Sequence, residues 1–416
     1  MNKVTTVIIG AGQSGLAMSH QLQEKQIDHV LLERGQVAHS WRADRWDSLR
    51  LLTPNWQSRL PGFSEPENDP DGYRTMPETI GFLDRYAAYI HAPVQTGTTV
   101  LSVVAEGPGY RIKTDRGDWL CSTLVLANGG ITEAVIPRFD EPVPRHVKVM
   151  TVKIYKRPSD LEPGGVLIVG ASASGVQLAQ ELNDAGHDVV LSVGEHVRLP
   201  RTYRGRDILW HMDACGLFDE GLESVDDLNR VRALPSMQLI GSPERSTLDL
   251  NRLQSQGVST VGRLAGFRDQ VAYFSGSLPN VCRLADLKMN RLLRALDDWI
   301  EAYGLERDLP TEARPNATCI PDAPRLQINL EEAGVKTLIW ATGFRADYSW
   351  LHLPVFDRRG RLRHAGGIVD APGVYAMGLP FMRKRKSSFI DGAGDDACAL
   401  SSHLNSYLKH PSRRVA

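Results

Sequence analysis

Short apolar runs closed by small-residue turns alternate along this chain with amphipathic stretches of helical period. Val7-Ile8-Ile9 reads as a buried parallel strand, residues 16–26 as a helix, and His29-Val30-Leu31-Leu32 as a second strand. A helix is predicted over 78–89, followed by alternating strands at 99–103, 110–114 and 119–127 that resemble a β-meander inserted into a wound sheet. The opening pattern then recurs: strand 165–169, a turn, helix 176–185 and strand 188–192. Helices are expected at 222–233, 247–256 and 284–303, and a strand at 261–264. Apolar strands at 337–344 and 374–378 and a closing helix to about residue 408 complete the reading.

The turns between these elements carry the chemistry. Gly10, Gly12 and Gly15 stand at Gly-x-Gly-x-x-Gly spacing between strand and helix. Gly10 suits a tight turn, Gly12 lets a pyrophosphate approach the backbone, and Gly15 lets helix pack on strand. Glu33 follows the second strand, where a ribose hydroxyl needs an acceptor. In the repeat, Gly170 and Gly175 keep their places and Ser172 replaces the middle glycine. Its second strand ends on Ser192, not on an acid, and Arg198, Arg201, Arg204 and Arg206 follow. A hydroxyl and nearby guanidinium groups suit a 2′-phosphate, so the second site is read as NADPH-binding, with NADH the alternative.

Composition narrows the rest. A chain of 416 residues accommodates two domains, and a net charge of -1 excludes a nucleic-acid or anionic-membrane role resting on overall charge. No apolar run is long enough to cross a bilayer, and Met1-Asn2-Lys3 leads straight into a strand without room for a signal peptide. The five cysteines are scattered and form no Cys-x-x-Cys pair, which argues against a redox dithiol or zinc site and for a reduced, cytoplasmic setting. No histidine pair stands at metal-ligand spacing. The basic run 383–386 reads as a solvated loop.

Aromatic residues and arginines crowd positions 41–56. They suit a wall against a flat ring, with Arg42 free for a phosphate, and equally an aromatic mini-core beneath a loop. Asn55 and Thr53 follow at a distance where an amide could donate to a peroxide oxygen; Asn55 is also an ordinary turn residue after Pro54.

Together Gly10–Gly15 with Glu33, Trp41-Arg42, Gly170–Gly175, the run 200–207, Ala341-Thr342-Gly343-Phe344 and 388–396 resemble the single-component flavin-containing monooxygenases, in particular their bacterial CzcO-like branch. The resemblance covers essentially the whole chain. It implies an α/β fold of two Rossmann-like dinucleotide-binding domains, for FAD and NADPH, the second inserted into the first as in glutathione reductase. The FAD domain would comprise 1–158 and 336–416, and the NADPH domain, with a helical cover, 159–335.

The implied activity is a monooxygenase acting on a small organic substrate with O2. NADPH reduces FAD, and a flavin hydroperoxide passes one oxygen atom to nitrogen, sulfur or carbon. The cofactor-binding set is Gly10, Gly12, Gln13, Ser14, Gly15, Glu33, Trp41, Arg42, Thr53, Val100, Ala127, Asn128, Gly170, Ser172, Ser174, Gly175, Ser192, Arg198, Arg201, Thr342, Gly343 and Asp391, with Asn55 the catalytic candidate and no metal. Thr342 and Gly343 would lie where the two cofactors meet. A homodimer is compatible with the sequence. Two features depart from the family. Its Phe-x-Gly-x-x-x-His signature falls on Arg145, Val147 and Thr151, and the first Ala-Thr-Gly is Ala127-Asn128-Gly129. The same motifs allow an NADPH oxidase, an FAD-dependent NAD(P)H oxidoreductase without stable oxygen transfer, or a flavin-binding module without turnover. A disulfide reductase would need the absent Cys-x-x-Cys.

Overall fold

A computed structural model describes residues 1–66, 68–309 and 311–410. β1 (Asn2–Ile9), α1 (Gln13–Glu24) and β2 (His29–Leu32) form the opening unit, with both strands parallel. Val7, Ile8 and Leu31 are fully shielded, as strands covered on both faces require. A short α2 (His39–Ala43) precedes α3 (Met76–Tyr89). Thr75 and Glu78 close a reciprocal capping box at the start of α3, which is why that helix begins two residues before its apolar pattern does. β3 (Val94–Gln95) joins the sheet beside β2. β4 (Val100–Glu106), β5 (Gly109–Thr114) and β6 (Gly117–Leu126) make the expected antiparallel meander, and the far end of β6 runs parallel to β1.

The second unit repeats this plan. β7 (Glu133–Ala134) is a crossing segment, and β8 (Lys148–Thr151) opens the new sheet. β9 (Gly165–Val169), α4 (Ala173–Asp184) and β10 (Val189–Ser192) correspond to β1, α1 and β2. A hairpin of β11 (Thr202–Tyr203) and β12 (Arg206–Asp207) leads to α5 (Ile208–Ala214). The helix expected over 222–233 is a 3-10 turn followed by the short α6 (Leu228–Arg232). After α7 (Leu250–Ser255) come β13 (Ser259–Val261), β14 (Leu264–Arg268) and β15 (Val271–Phe274). The single strand expected at 261–264 is therefore two strand ends meeting at Gly262-Arg263. The long amphipathic helix, α8 (Leu278–Ala302), starts earlier than its pattern suggested because Pro279 is tolerated in a first turn. β16 (Gln327–Asn329) pairs with β15, and β17 (Val335–Trp340) returns to the sheet beside β9.

β18 (Phe344–Arg345), β19 (His364–Ala365), β20 (Ile368–Val369), β21 (Val374–Ala376) and α9 (Ala393–Lys409) complete the chain. The parallel strands of the first sheet run β3-β2-β1-β6-β21, and those of the second run β13-β10-β9-β17-β8. The two orders match position for position. Only the source of the fifth strand differs: the end of the chain supplies β21, whereas β8 precedes its own glycine turn.

That arrangement moves the expected domain limits. Boundaries at 158 and 336 would assign β8 and most of β17 to the first domain, yet both pair within the second sheet. The chain crosses after Leu126 and returns after Trp340. The two crossings are stitched together, β7 pairing antiparallel with β18 and Val135 N–H donating to the Gly343 carbonyl at 2.9 Å. Thr151, at the place of the family's signature histidine, ends β8 opposite Trp340 and accepts from the amides of Ile154 and Tyr155. No helix among the described residues is long and apolar enough to cross a membrane.

Candidate functional site

Each glycine turn is locked by its own backbone. Gly10 has φ +105°, and a Cβ there would lie 2.5 Å from the Ala127 carbonyl oxygen. Gly170 has φ +111°, and a Cβ there would lie 2.4 Å from the Ala341 oxygen. Helix and strand approach so closely that a Cβ on Gly15 would sit 2.0 Å from the Gly10 oxygen, and one on Gly175 1.8 Å from the Gly170 oxygen. The middle position behaves differently. A Cβ on Gly12 meets nothing within 4 Å, so the space above the turn is open. Ser172 takes nearly the same extended conformation, φ -83° and ψ -171° against -85° and -173°, and its substitution costs the backbone nothing.

The helices that follow these turns also share an electrostatic feature. Neither α1 nor α4 has a side-chain cap or an acidic residue in its first turn. α3, α5, α6 and α7 are capped, by Thr75, Asp207, Asp227 and Asp249, whereas α2, α8 and α9 also lack a side-chain cap. The uncapped first-turn amides and the positive dipole end are what a phosphate would satisfy. Both turns therefore fit a dinucleotide.

Around the first turn, Glu33 is 7% exposed and its carboxylate accepts from the amides of Ala11 at 2.9 Å and Gly35 at 3.0 Å. It stiffens the turn while retaining lone pairs for a ribose diol. Trp41 Nε1 donates to Gln13 Oε1 at 3.3 Å, and Arg45 lies over the Trp41 ring at 5.2 Å. Ser14 is buried where β21 runs out: a Cβ on Gly378 would meet its Oγ. Val100 begins β4, opposite Thr114, and Thr53 sits half-buried in the turn before Asn55. Arg42, expected to be free for a phosphate, is held by Asp84 and the Val37 carbonyl. The aromatic stretch divides its allegiance. Trp41 packs on the first core, whereas Trp46 is a member of the second. Lys156 reinforces this strap by donating to the carbonyls of Ala43 and Arg45, as does Ser48 by donating to Glu181 of α4.

Asn55 opens a row that sequence reasoning found only in part. Its Nδ2 donates to the Asp69 carbonyl at 2.9 Å, and Oδ1 is buried without a partner. Trp56 Nε1, Gln57 Oε1 and Ser58 Oγ, the next three side chains, are likewise buried and unpaired. Four consecutive unsatisfied polar groups in one turn are costly unless a bound group supplies partners. The turn faces the start of α9: Arg59 forms a double hydrogen bond with Asp391 at 2.6 and 3.0 Å, and Pro61 abuts Gly394. Asp391, expected at the cofactor, is thus taken by Arg59. The basic run 383–386 is only half-exposed, and its charges are paired. Arg383 pairs with Asp396, Lys384 and Lys386 with Asp219 and Asp395, and Arg385 with Glu220.

Asp396, in the first turn of α9, is 1% exposed, and burial pushes its carboxyl up to about 6. Between the ordinary value of 3.8 and about 6, the folded chain holds a proton that the unfolded chain has released. Stability therefore falls as pH rises through that window. Asp396→Asn should abolish this fall and raise stability at pH 7 by up to about 3 kcal/mol. Urea titrations of both proteins at pH 4 and pH 7 measure it, and equal gains at the two pH values would refute the assignment.

At the second turn the structure corrects two expectations. Register places Ser192 opposite Val169 and Leu32 opposite Ile9, so Val193, not Ser192, stands where Glu33 does. Ser192 Oγ is used internally, donating to the Gly262 carbonyl and accepting from Leu264 N–H, both at 3.0 Å. Three of the four arginines are also committed. Arg198, 3% exposed, pairs with Asp249 and Asp286 at 2.6 Å each. Arg201, 1% exposed, pairs with Asp207 at 2.5 Å, and Arg204 with Asp297 at 2.7 Å. Gln238 lies beside the turn and donates to the Ala171 carbonyl. Ser174 sits half-buried in the first turn of α4.

Between the turns, Asn128 donates to the Asp347 carbonyl at 3.1 Å, and Thr342 Oγ1 donates to the Val135 carbonyl. These residues join the crossings. The described residues contain no cluster of metal-ligating side chains.

Residues 7–204 match the family described as pyridine nucleotide-disulphide oxidoreductase. A CzcO-like oxidoreductase of Geobacillus kaustophilus is 29% identical over 98% of this chain and 99% of its own length. The indole-3-pyruvate monooxygenase YUCCA6 of Arabidopsis thaliana is 34% identical over 48% of this chain and 50% of its own. The solved flavin-containing monooxygenase of Stenotrophomonas maltophilia shares the fold, with a TM-score of 0.67 at 19% identity over 98% of this chain and all of that one. The chain is thus similar to the pyridine nucleotide-disulphide oxidoreductase family over residues 7–204, which span its doubled glycine turn, and to CzcO-like oxidoreductases along nearly the full length of both chains.

Proposed function

We propose that this protein is an FAD- and NADPH-dependent monooxygenase that places one oxygen atom of O2 on a small organic substrate. The observation that carries the reading is the repetition of one nucleotide-binding unit in two sheets of identical strand order, joined by paired crossings. The similarity to indole-3-pyruvate monooxygenases supports oxygen transfer over electron transfer to a disulfide, as does the lack of a Cys-x-x-Cys pair in the sequence.

Gly10, Gly12 and Gly15 would hold the FAD pyrophosphate against α1, with Glu33 on the ribose. Gly170, Ser172 and Gly175 would hold NADPH against α4. Bound FAD supplies the redox and oxygen-activating chemistry, and the protein supplies position and dryness. The row from Asn55 to Ser58 suits the exclusion of water, because buried amide and hydroxyl groups can hold a reactive oxygen species while bulk solvent is kept away.

Asn55→Ala is expected to raise hydrogen peroxide released per NADPH consumed at least several-fold, at the expense of product. NADPH loss, oxygen uptake and peroxide are followed together, with amines, thioethers, ketones and indoles as trial substrates. Unchanged coupling removes Asn55 from the site. Stoichiometric peroxide from the wild-type protein with every substrate would replace monooxygenase by oxidase.

A further inference from the structure

A 2′-phosphate is what separates NADPH from NADH, and a dianion of that kind calls for an available guanidinium at the end of the second strand. The residues following β10 do not provide one. Val193 and Gly194 carry no charge, Glu195 pairs with Lys288 at 2.9 Å, and burial lowers the pKa of His196, keeping it neutral. Arg198, Arg201 and Arg204 each neutralise an internal carboxylate, and Arg206, on the β11–β12 hairpin, lies over the Trp210 ring at 5.5 Å. Withdrawing any of the first three to meet a ligand would leave that carboxylate buried and unpaired.

The neighbouring strand end is different. β13 runs parallel to β10, with Val261 opposite Ser192, and parallel strands lie about 5 Å apart. Arg263 follows two residues later. Its side chain is exposed and has no ion pair or hydrogen bond among the described residues. Its backbone, by contrast, is held on three sides. Ser192 Oγ bonds to the Gly262 carbonyl and the Leu264 amide, and the Arg263 carbonyl accepts from Ser275 N–H at 2.8 Å. A Cβ on Gly262 would lie 1.9 Å from the Ser275 oxygen, so the turn has no room to shift. An unpaired guanidinium on an immobile turn, beside a strand end cleared of acid by Val193 and Gly194, is preorganised for an anion.

We infer that Arg263 reads the 2′-phosphate of NADPH, resting on the assignment of the second glycine turn to the nicotinamide dinucleotide. The buried hydroxyl of Ser192 then acts on specificity indirectly, by fixing the backbone on either side of Arg263.

The test is calorimetric binding of NADP+, NAD+ and 2′,5′-ADP to the FAD-loaded wild-type, Arg263→Gln and Arg263→Lys proteins. The wild type is expected to bind NADP+ more tightly than NAD+. Arg263→Gln should weaken NADP+ and 2′,5′-ADP at least tenfold and leave NAD+ within twofold, and Arg263→Lys should retain part of the preference. NADP+ affinity unchanged in Arg263→Gln, an equal loss for both dinucleotides, or a wild type that favours NAD+ would overturn the inference. A wild type that holds FAD but binds neither dinucleotide would overturn the assignment of the second turn itself.

Discussion

Gly175→Ala should yield a yellow protein that NADPH does not reduce. The added Cβ would fall 1.8 Å from the Gly170 carbonyl oxygen and 2.8 Å from its carbon, both backbone atoms at the heart of the second turn. Neither can yield like the far end of a flexible side chain, so α4 must draw back from β9 or the turn must deform. Either change moves the uncapped amides of α4 off the position a pyrophosphate needs. The first turn belongs to the other sheet, and its own contacts, Gly15 against Gly10 and Gly10 against Ala127, are untouched. FAD content should therefore stay near that of the wild type while the rate of flavin reduction by NADPH drops at least about a hundredfold. Anaerobic bleaching by NADPH and by dithionite, compared on one sample, measures the two properties separately. Wild-type bleaching by NADPH would show that this turn does not hold the reductant.

Arg198→Ala is expected to cost stability without altering cofactor preference. The guanidinium spans Asp249 and Asp286 and donates a further bond to the Asn316 carbonyl at 2.8 Å. Its removal leaves two largely buried carboxylates facing each other's charge, a change that typically costs about 3–5 kcal/mol. The damage should spread along both partners. Asp249 caps α7 through the Arg252 amide, and Asp286 holds Thr318 by backbone and side chain. Thermal and urea unfolding should show a marked loss. The ratio of NADP+ to NAD+ affinity, measured where the variant is folded, should stay that of the wild type. A variant of normal stability that loses NADP+ selectively would return Arg198 to the cofactor site.

These two residues show how unevenly the site can be read along the chain. Gly175 is legible because its role is local: strand, turn and helix lie within about a dozen residues, and spacing alone states the geometry. Glu33 is legible for the same reason. Arg198 is not. Its partners lie 51 and 88 positions away, and nothing near it in sequence distinguishes a guanidinium bound for a phosphate from one bound for Asp249. Arg42 and Asp391 mislead on the same account, since Asp84 and Arg59 claim them through the tertiary fold. Ser192 is one residue short of the expected place. A strand's end can be guessed from composition, but which residue it lays beside its neighbour is a property of register.

The domain limits follow the same rule. The apolar run at 337–344 announces a strand without saying which sheet it joins, the strand at Lys148–Thr151 has no apolar run to announce it, and it is the pairing of both with the second sheet that moves the crossings.

Glycine spacing, apolar periodicity and the recurrence of both were thus enough to establish an α/β chain with two nucleotide turns, because backbone sterics and helix dipoles act over a few residues. Which charged side chains remain available to a ligand was settled only when the chain folded. A long cationic side chain goes wherever a buried carboxylate needs it, and that demand arises from residues far away in the sequence. Arg263 is left over from that pairing, and so its availability could be seen only after Arg198, Arg201 and Arg204 had found their carboxylates.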